Sequence, residues 1–297
     1  MPATPPPSEL APWVALGLIP HLGGRTLARL LAHFGTVEAI LAADAPALQT
    51  VRGVGPKLAA AIGAVDVARV QAALRGWQQA GIAVLTPAHT AYPALLRGDD
   101  APPVLFLRGA HALPQPPRVA LVGTRQPQTA ARRFAHALGR ALAQAGRCVV
   151  SGLALGIDAA AHRGALAGGG RTLAVLGGGI NVPYPPQNRA LFSILAREGT
   201  LLSEYRPQAA PSAATLVARN RLISALSDAL VVVETSTEGG SWHAVRFARA
   251  QGVPVFAVRS RAAGNRRLLA EGAHPLPPDP AAACARLLTL RPRAAPP

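Results

Sequence analysis

The residue whose type and place point first to chemistry is Arg125. It sits in Gly123-Thr124-Arg125-Gln126, directly after the apolar run Val119–Val122, where a dinucleotide-binding loop would set its second and third glycines. Glycine there lets a pyrophosphate approach the backbone, whereas an arginine holds phosphate farther out through a bidentate fork. That suits a nucleic-acid backbone crossing a rim better than a small cofactor sunk into it. Similar groups recur along the chain at Ser151-Gly152, Arg219-Asn220-Arg221 and Gly239-Gly240-Ser241, and Arg189 follows the YPPQN loop. The expected strand contacts are therefore Gly123, Thr124, Arg125, Ser151, Gly152, Arg189, Arg219, Asn220, Arg221, Gly239, Gly240 and Ser241. Tyr184 and Tyr205 are the loop aromatics available for stacking on bases.

Asp158 and His162, in GIDAAAH, lie four apart and would share a helix face. With Ser151 they suggest a hydrolytic triad. However, the chain has no G-x-S-x-G elbow, and a carboxylate near a helix N-terminus offsets the dipole and caps free N–H groups. Asp158 is read as such a cap, with His162 its i,i+4 partner, and no catalytic residue is assigned. The single lysine is Lys57, so no G-x-x-x-x-G-K-[ST] phosphate loop exists in this chain. Lys57 belongs instead to VRGVGPKLAAAI, a helix-hairpin-helix pattern whose turn offers backbone N–H groups to a DNA phosphate. Gly53, Gly55 and Lys57 are the expected duplex contacts, and LIPHLGGRTLARLLAHFG repeats the pattern upstream.

To bring the strand contacts to one rim, the chain needs strands that end together. From Arg118 onward, apolar runs (RVALVG, CVVSG, TLAVLG, TLLSEY, LVVVET, PVFAV) alternate with amphipathic stretches. In the first of these stretches Ala130, Phe134, Leu138, Ala141, Leu142 and Ala145 define the expected apolar face. The alternation predicts an α/β fold: a Rossmann-like, doubly wound, mainly parallel sheet, with ligands at the carboxyl ends of its strands. The glycine- and serine-rich loops at those ends (GTRQ, SGLALG, GGGINVPYPPQN, SEYRP, TSTEGGS) would converge on one anion-binding rim. Before the sheet, short helices broken by glycines predict a small all-α helix-hairpin-helix (SAM-like) domain. The expected divisions are 1–85 for that domain, 86–117 for a connector packing on the core, 118–275 for the Rossmann-like domain and 276–297 for a Pro/Ala/Arg-rich tail. An isologous dimer contact is expected at Leu268 and Leu269, beside the basic Arg266 and Arg267.

The charge fits a polyanionic partner: the net value is +16 over 297 residues. From Arg118 to Pro275 there are 19 arginines against seven acidic residues, so most of the surplus lies in the expected sheet domain. Cys148 and Cys284 fit no metal or redox spacing, and Cys148 reads as a buried strand residue. No cofactor is expected. The start MPATPPPSELAPW lacks the pattern of a signal peptide, and no apolar run is long enough to span a bilayer. The expectation is a cytoplasmic protein without membrane contact.

The ordered motifs from Tyr92 to Ala273 resemble the DNA-processing protein A family (DprA/Smf) of natural transformation. They include PPVLFLRG, VALVGTR, VVSGLALGIDAAAH, GGGINVPYPPQN, RNRLISALSDALVVVE and EGA. The resemblance implies a homodimer that binds single-stranded DNA, with weaker duplex binding, protects the strand and loads a RecA-type recombinase. It also implies Arg125, Arg219 and Arg221 as strand contacts. The chain departs from the family pattern in three places: Leu216-Val217 replaces the usual Phe-Pro, Gly239-Gly240-Ser241 the usual Ser-Gly-Ser, and Arg259-Ser260 the usual Pro-Gly. No winged helix is expected after the Rossmann-like domain. The alternative is an enzyme resembling nucleoside-monophosphate phosphoribohydrolases, whose P-G-G-x-G-T-x-x-E motif ends in an essential Glu. The corresponding TEGGSWHAV has none after its glycines.

Overall fold

Two glycine-containing turns shape the amino-terminal helices, which follow one another closely in the computed structural model of the chain. The helices are α1 (Pro7–Gly17), α2 (Gly24–Phe34), α3 (Val37–Ala42), α4 (Ala45–Gln49), α5 (Pro56–Gly63) and α6 (Val67–Gln79). Three of them start on a side chain that accepts an otherwise orphaned N–H: Thr36 from Ala39 at 3.1 Å, and Asp44 from Ala47 and Asp66 from Arg69 at 2.9 Å. Between α4 and α5, Gly53 takes φ +97°, which turns the chain before Pro56 opens the next helix. Leu27, Leu30, Ile40, Leu48, Val54 and Ile62 bury a common core. Arg29 Nη1 donates to Arg52 O at 3.2 Å, tying α2 to the second hairpin's turn. The sequence pattern does not mark α1, which contains Pro12, α4, with only five residues, or α6.

The described residues are 5–98, 100–110, 113 and 117–294. Parts of the expected connector, the first four residues and the end of the tail lie outside them. Strand β1 (Ala83–Leu85) pairs antiparallel with β2 (Leu105–Gly109), Val84 opposite Phe106. Trp77 of α6 packs edge-on against Phe106 at 5.2 Å. The chain divides into two compact units, one holding the residues up to Leu107 with Glu204–Arg206, the other Arg108–Ser203 with Pro207–Ala294. This corrects the expected connector: pairing with β1 returns residues 86–107 to the helical unit.

The second unit alternates strand and helix: β3 (Arg118–Val122), α7 (Thr129–Gln144), β4 (Cys148–Ser151), α8 (Ile157–Ala167), β5 (Thr172–Val175), α9 (Arg189–Glu198) and β6 (Thr200–Ser203). There follow α10 (Ala213–Ala218), α11 (Asn220–Ala225), β7 (Ala229–Val232), α12 (Ser241–Ala250), β8 (Val255–Val258), α13 (Ala263–Ala270), β9 (His274–Leu276) and α14 (Pro280–Leu288). These seven strands lie parallel in the order β6-β5-β4-β3-β7-β8-β9. From β3 to β8 every strand residue is buried, as a sheet covered on both faces requires. Val119, Leu121, Val149, Val231 and Phe256 pack with α7, α8 and α14 in one core. α11 and α12, joined by Ser224 Oγ donating to Ala244 O at 3.0 Å, pack together away from that core. The direction of strand addition reverses at β3, and α/β folds open a binding crevice at such a reversal.

Three expectations about these elements need correction. Ala130 of α7 and Ala145 just after it are exposed, while Ala135, Gly139 and Ala143 are buried because α8 packs along that flank. The stretch 276–297 is no loose tail over its described length. β9 joins the sheet edge, and Leu276, Ala283, Cys284 and Leu287 enter the core. Arg293 N donates to Asp228 Oδ1 at 2.7 Å. Leu268, expected at a dimer surface, is fully buried in its own unit, and Leu269 is half-buried. Cys148 is a buried strand residue as expected, its thiol pushed up to about 12 by burial and so held neutral.

Candidate nucleic-acid interface

A cleft of about 670 Å³ opens at the carboxyl ends of β3 and its neighbours. Its lining includes Gly123, Thr124, Arg125, Arg219, Asn220, Gly239, Gly240 and Ser241, so it gathers eight of the twelve expected strand contacts. A smaller cavity of about 270 Å³ shares Arg125, Ala154, Tyr184, Pro211, Leu216 and Arg219 with it. Arg125 is exposed on this rim. The loop beneath it is fixed by main-chain bonds: Thr124 N donates to Glu234 O at 2.8 Å, and Ile157 N donates to Thr124 O at 3.2 Å. Gly156 makes the second contact feasible. It has φ +79°, and a Cβ there would collide with the backbone of Thr124 and Arg125.

The cleft floor is a buried charged network. Arg219 is 5% exposed, and its Nη1 donates to Gly152 O and Val175 O, both at 2.5 Å. Its Nε donates to Asn220 Oδ1 at 3.2 Å. A side chain on Gly152 would collide with that guanidinium. Asp158, also buried, accepts N–H bonds from Gly152 at 3.1 Å and Ala154 at 3.4 Å. Burial pushes the Asp158 carboxyl above its ordinary range; the field of Arg219 and the two N–H donors pull it back. Burial lowers the pKa of Arg219, Asp158 opposes that, and the positive Arg125 adds to it. Through these bonds Arg219 holds the ends of β4 and β5 together.

This geometry corrects several expected roles. Arg219 is a floor residue and not an extended fork. Ser151 is fully buried, donating from Oγ to Leu121 O at 2.6 Å. Gly152 is buried with its N–H committed to Asp158 and its carbonyl to Arg219, so neither reaches a phosphate. The start of α8 is closed by the Thr124 carbonyl and does not form part of an open anion rim. Arg189 and Arg221 are not among the cleft residues, and the Arg221 carbonyl accepts from Gln251 Nε2 at 3.1 Å. Ser203, at the start of SEYRP, is buried with its Oγ on Gly178 O at 2.7 Å, and Tyr205 does not line the cleft. Tyr184 does line it and is 41% exposed.

Asp158 caps the loop ahead of α8, and His162 is not its partner. The His162 ring is fully buried and lies 2.7 Å through Nδ1 from Thr172 Oγ1, which itself donates to Val149 O at 2.9 Å. The threonine's one proton is therefore used, so Nδ1 carries the imidazole's proton and Nε2 has no hydrogen-bond partner. Burial lowers the His162 pKa to about 3, and no triad is assembled.

Residues that the pattern did not single out also meet here. Gln126, Ser212 and His243 line the cleft. Buried Asn188 donates to Leu153 O at 2.9 Å and to Ala154 O at 3.1 Å, pinning the YPPQN loop to the end of β4. Glu234 Oε1 accepts from Gln128 N at the start of α7, at 3.2 Å. A polar residue just past a strand end or at a helix start was the available signal for each. In the helical unit, Gly53, Gly55 and Lys57 are all exposed on the second hairpin. Among the described residues no group of three or more metal-ligating side chains gathers, and no helix is long and apolar enough to cross a membrane.

Comparison with known proteins gives consistent matches. The family model of DNA recombination-mediator protein A matches residues 83–282, and a helix-hairpin-helix model matches residues 12–65. Protein Smf of Synechocystis is 38% identical over 257 residues, covering 84% of this chain and 65% of that protein. The chain thus spans less than two thirds of that relative, and 46% of a Mycobacterium tuberculosis relative. The structure of DNA processing protein A from Streptococcus pneumoniae covers 97% of this chain and 99% of its own, with TM-score 0.78 and 26% identity. DNA processing protein A from Helicobacter pylori, whose structure concerns its single-stranded DNA binding mode, covers 70% of this chain and 95% of its own, with TM-score 0.62 and 30% identity.

Proposed function

The chain belongs to the DNA recombination-mediator protein A family, and from that premise we propose that it binds single-stranded DNA across the cleft at the carboxyl ends of β3, β4, β5 and β7. It protects the strand and delivers it to a RecA-type recombinase, acting as a homodimer and not as an enzyme. The observation that carries this reading is Arg125, an exposed guanidinium on the rim of a cleft whose facing wall is the Gly239-Gly240-Ser241 turn at the start of α12. A phosphate held by Arg125 would lie near that helix start, where the helix dipole favours an anion. Arg219 adds positive field from below, and Tyr184 offers a ring for a base. The Helicobacter relative's single-stranded DNA binding mode supports the choice of strand.

Arg125→Ala tests the reading directly. In fluorescence titrations over a salt series, the variant binds a single strand more weakly. Its slope of log affinity against log salt is shallower by about 0.7, because one fewer phosphate is neutralised. Unchanged affinity and slope would remove the cleft from the strand's path. Incubation with AMP, with free base as the readout, tests the phosphoribohydrolase alternative: release of base that tracks the folded protein would establish an enzyme.

A further inference from the structure

A row of unneutralised arginines runs along the paired helices α7 and α8. Arg132, Arg133 and Arg140 of α7, Arg163 of α8 and Arg171 just beyond α8 are all exposed. None of these five side chains has a hydrogen-bond or carboxylate partner among the described residues. Neither helix presents an acidic side chain to solvent: α7 has none, and the one in α8 is the buried Asp158. The neighbouring helices do not offset this. α14, packed on α7, carries Arg286, and its capping Asp279 is occupied by Ala282 N at 2.7 Å. In α9, beside α8, Glu198 is matched by Arg197 at 3.5 Å.

The two helices meet backbone to backbone, which holds these cations side by side. A Cβ at Gly139 would come within 2.5 Å of Ala161 O, one at Gly168 within 2.7 Å of Arg140 O, and one at Gly164 would collide with His136 O. Gly164, next in the chain to Arg163, is thereby set against His136, on the flank where α7 carries Arg133 and Arg140. Like charges held together without counter-charges repel, and a polyanion relieves that cost. The row is also continuous with the cleft. α7 begins four residues after Arg125, and its 16 residues extend for roughly 24 Å.

We infer that the exposed face of α7 and α8 is a second nucleic-acid track, which grips the phosphate backbone of a strand after it leaves the cleft past Arg125. This rests on the reading that the cleft holds single-stranded DNA. It adds that a long strand reaches cations a short one cannot.

The test uses the full chain carrying Arg133→Glu with Arg140→Glu, titrated with fluorescent single strands of about 6 and about 30 nucleotides, lengths that bracket single-module site sizes. Short-strand affinity stays within about twofold of the wild type. Long-strand affinity falls at least tenfold, and its salt slope becomes shallower by roughly 1.4, about 0.7 for each of two phosphates. Unchanged long-strand binding would overturn the inference, leaving a solvated face or a site for an acidic protein. An equal loss on both lengths would overturn it too, because the face would then act through the cleft. Arg133→Gln with Arg140→Gln, which keeps polar side chains, must show the same length dependence at smaller size; its absence would assign the Glu result to misfolding. Arg125→Ala on the short strand reports separately on the cleft. No effect there would fail the cleft reading and with it the track as its continuation, a result distinct from unchanged long-strand binding in the α7 variant, which fails the track alone.

Discussion

Burying the Arg219 guanidinium beneath the candidate cleft has consequences that separate it from Arg125, although both were expected to contact a strand. Arg219 bridges the carbonyls of Gly152 and Val175 beside a buried carboxylate. Arg219→Ala leaves Asp158 buried without its counter-charge, a change on the order of 3–5 kcal/mol. Urea denaturation should therefore show a large loss for Arg219→Ala and little for exposed Arg125→Ala; equal midpoints would contradict the floor role. His162 makes a second prediction at this scale. Its ordinary pKa of 6.5 falls to about 3 in the fold, so the unfolded chain holds the extra proton between those values. Stability is then retained above pH 6.5 and lost as pH falls toward 3, by up to about 1.4 kcal/mol per pH unit. His162→Gln should flatten this part of the pH profile, read as denaturation midpoints at pH 7.5 and 5. An identical pH dependence in the two proteins would show that His162 is not the titrating group.

Among the elements, the helical hairpins make the clearest separable prediction. Gly53 owes its place to a φ of +97°, and Lys57 stands exposed in the first turn of α5. Lys57→Ala should weaken duplex binding and shallow its salt slope by about 0.9, with single-strand affinity unchanged. The opposite selectivity, measured on matched oligonucleotides, would put the strand on the hairpins. The six apolar runs from RVALVG to PVFAV were legible as strands because they are short, continuous and bounded by glycine or by polar residues. β9 was not, because His-Pro-Leu is three residues long with one fully buried side chain. α14 was hidden by an Ala- and Pro-rich composition that also describes a loose tail. At the site, Arg125 was legible from its position after β3. The fate of Arg219 was not: the local pattern places an arginine at a helix start, but whether its guanidinium meets solvent or two carbonyls depends on strands distant in sequence.

At the scale of the whole molecule, the net charge of +16 and the single lysine bear on the proposed role. The chain has the cations to hold a strand but no phosphate-loop lysine with which to drive a recombinase filament of its own. In the proposed reading, a protein with these properties would promote recombination by delivery. Two clefts in a dimer would raise avidity for one strand through effective concentration, and a strand held at two points can be handed over segment by segment. Leu268 closes its own unit's core and is not available to a dimer contact. Leu268→Glu should therefore destabilise the fold and is the wrong probe of association. Delivery is tested by recombinase ATPase onset on strands precoated with single-strand-binding protein. Wild type should shorten the lag and Arg125→Ala should shorten it less, because the first step is capture of the strand. An equal lag with and without the protein, at concentrations where the strand is demonstrably bound, would leave strand protection as its role and remove delivery.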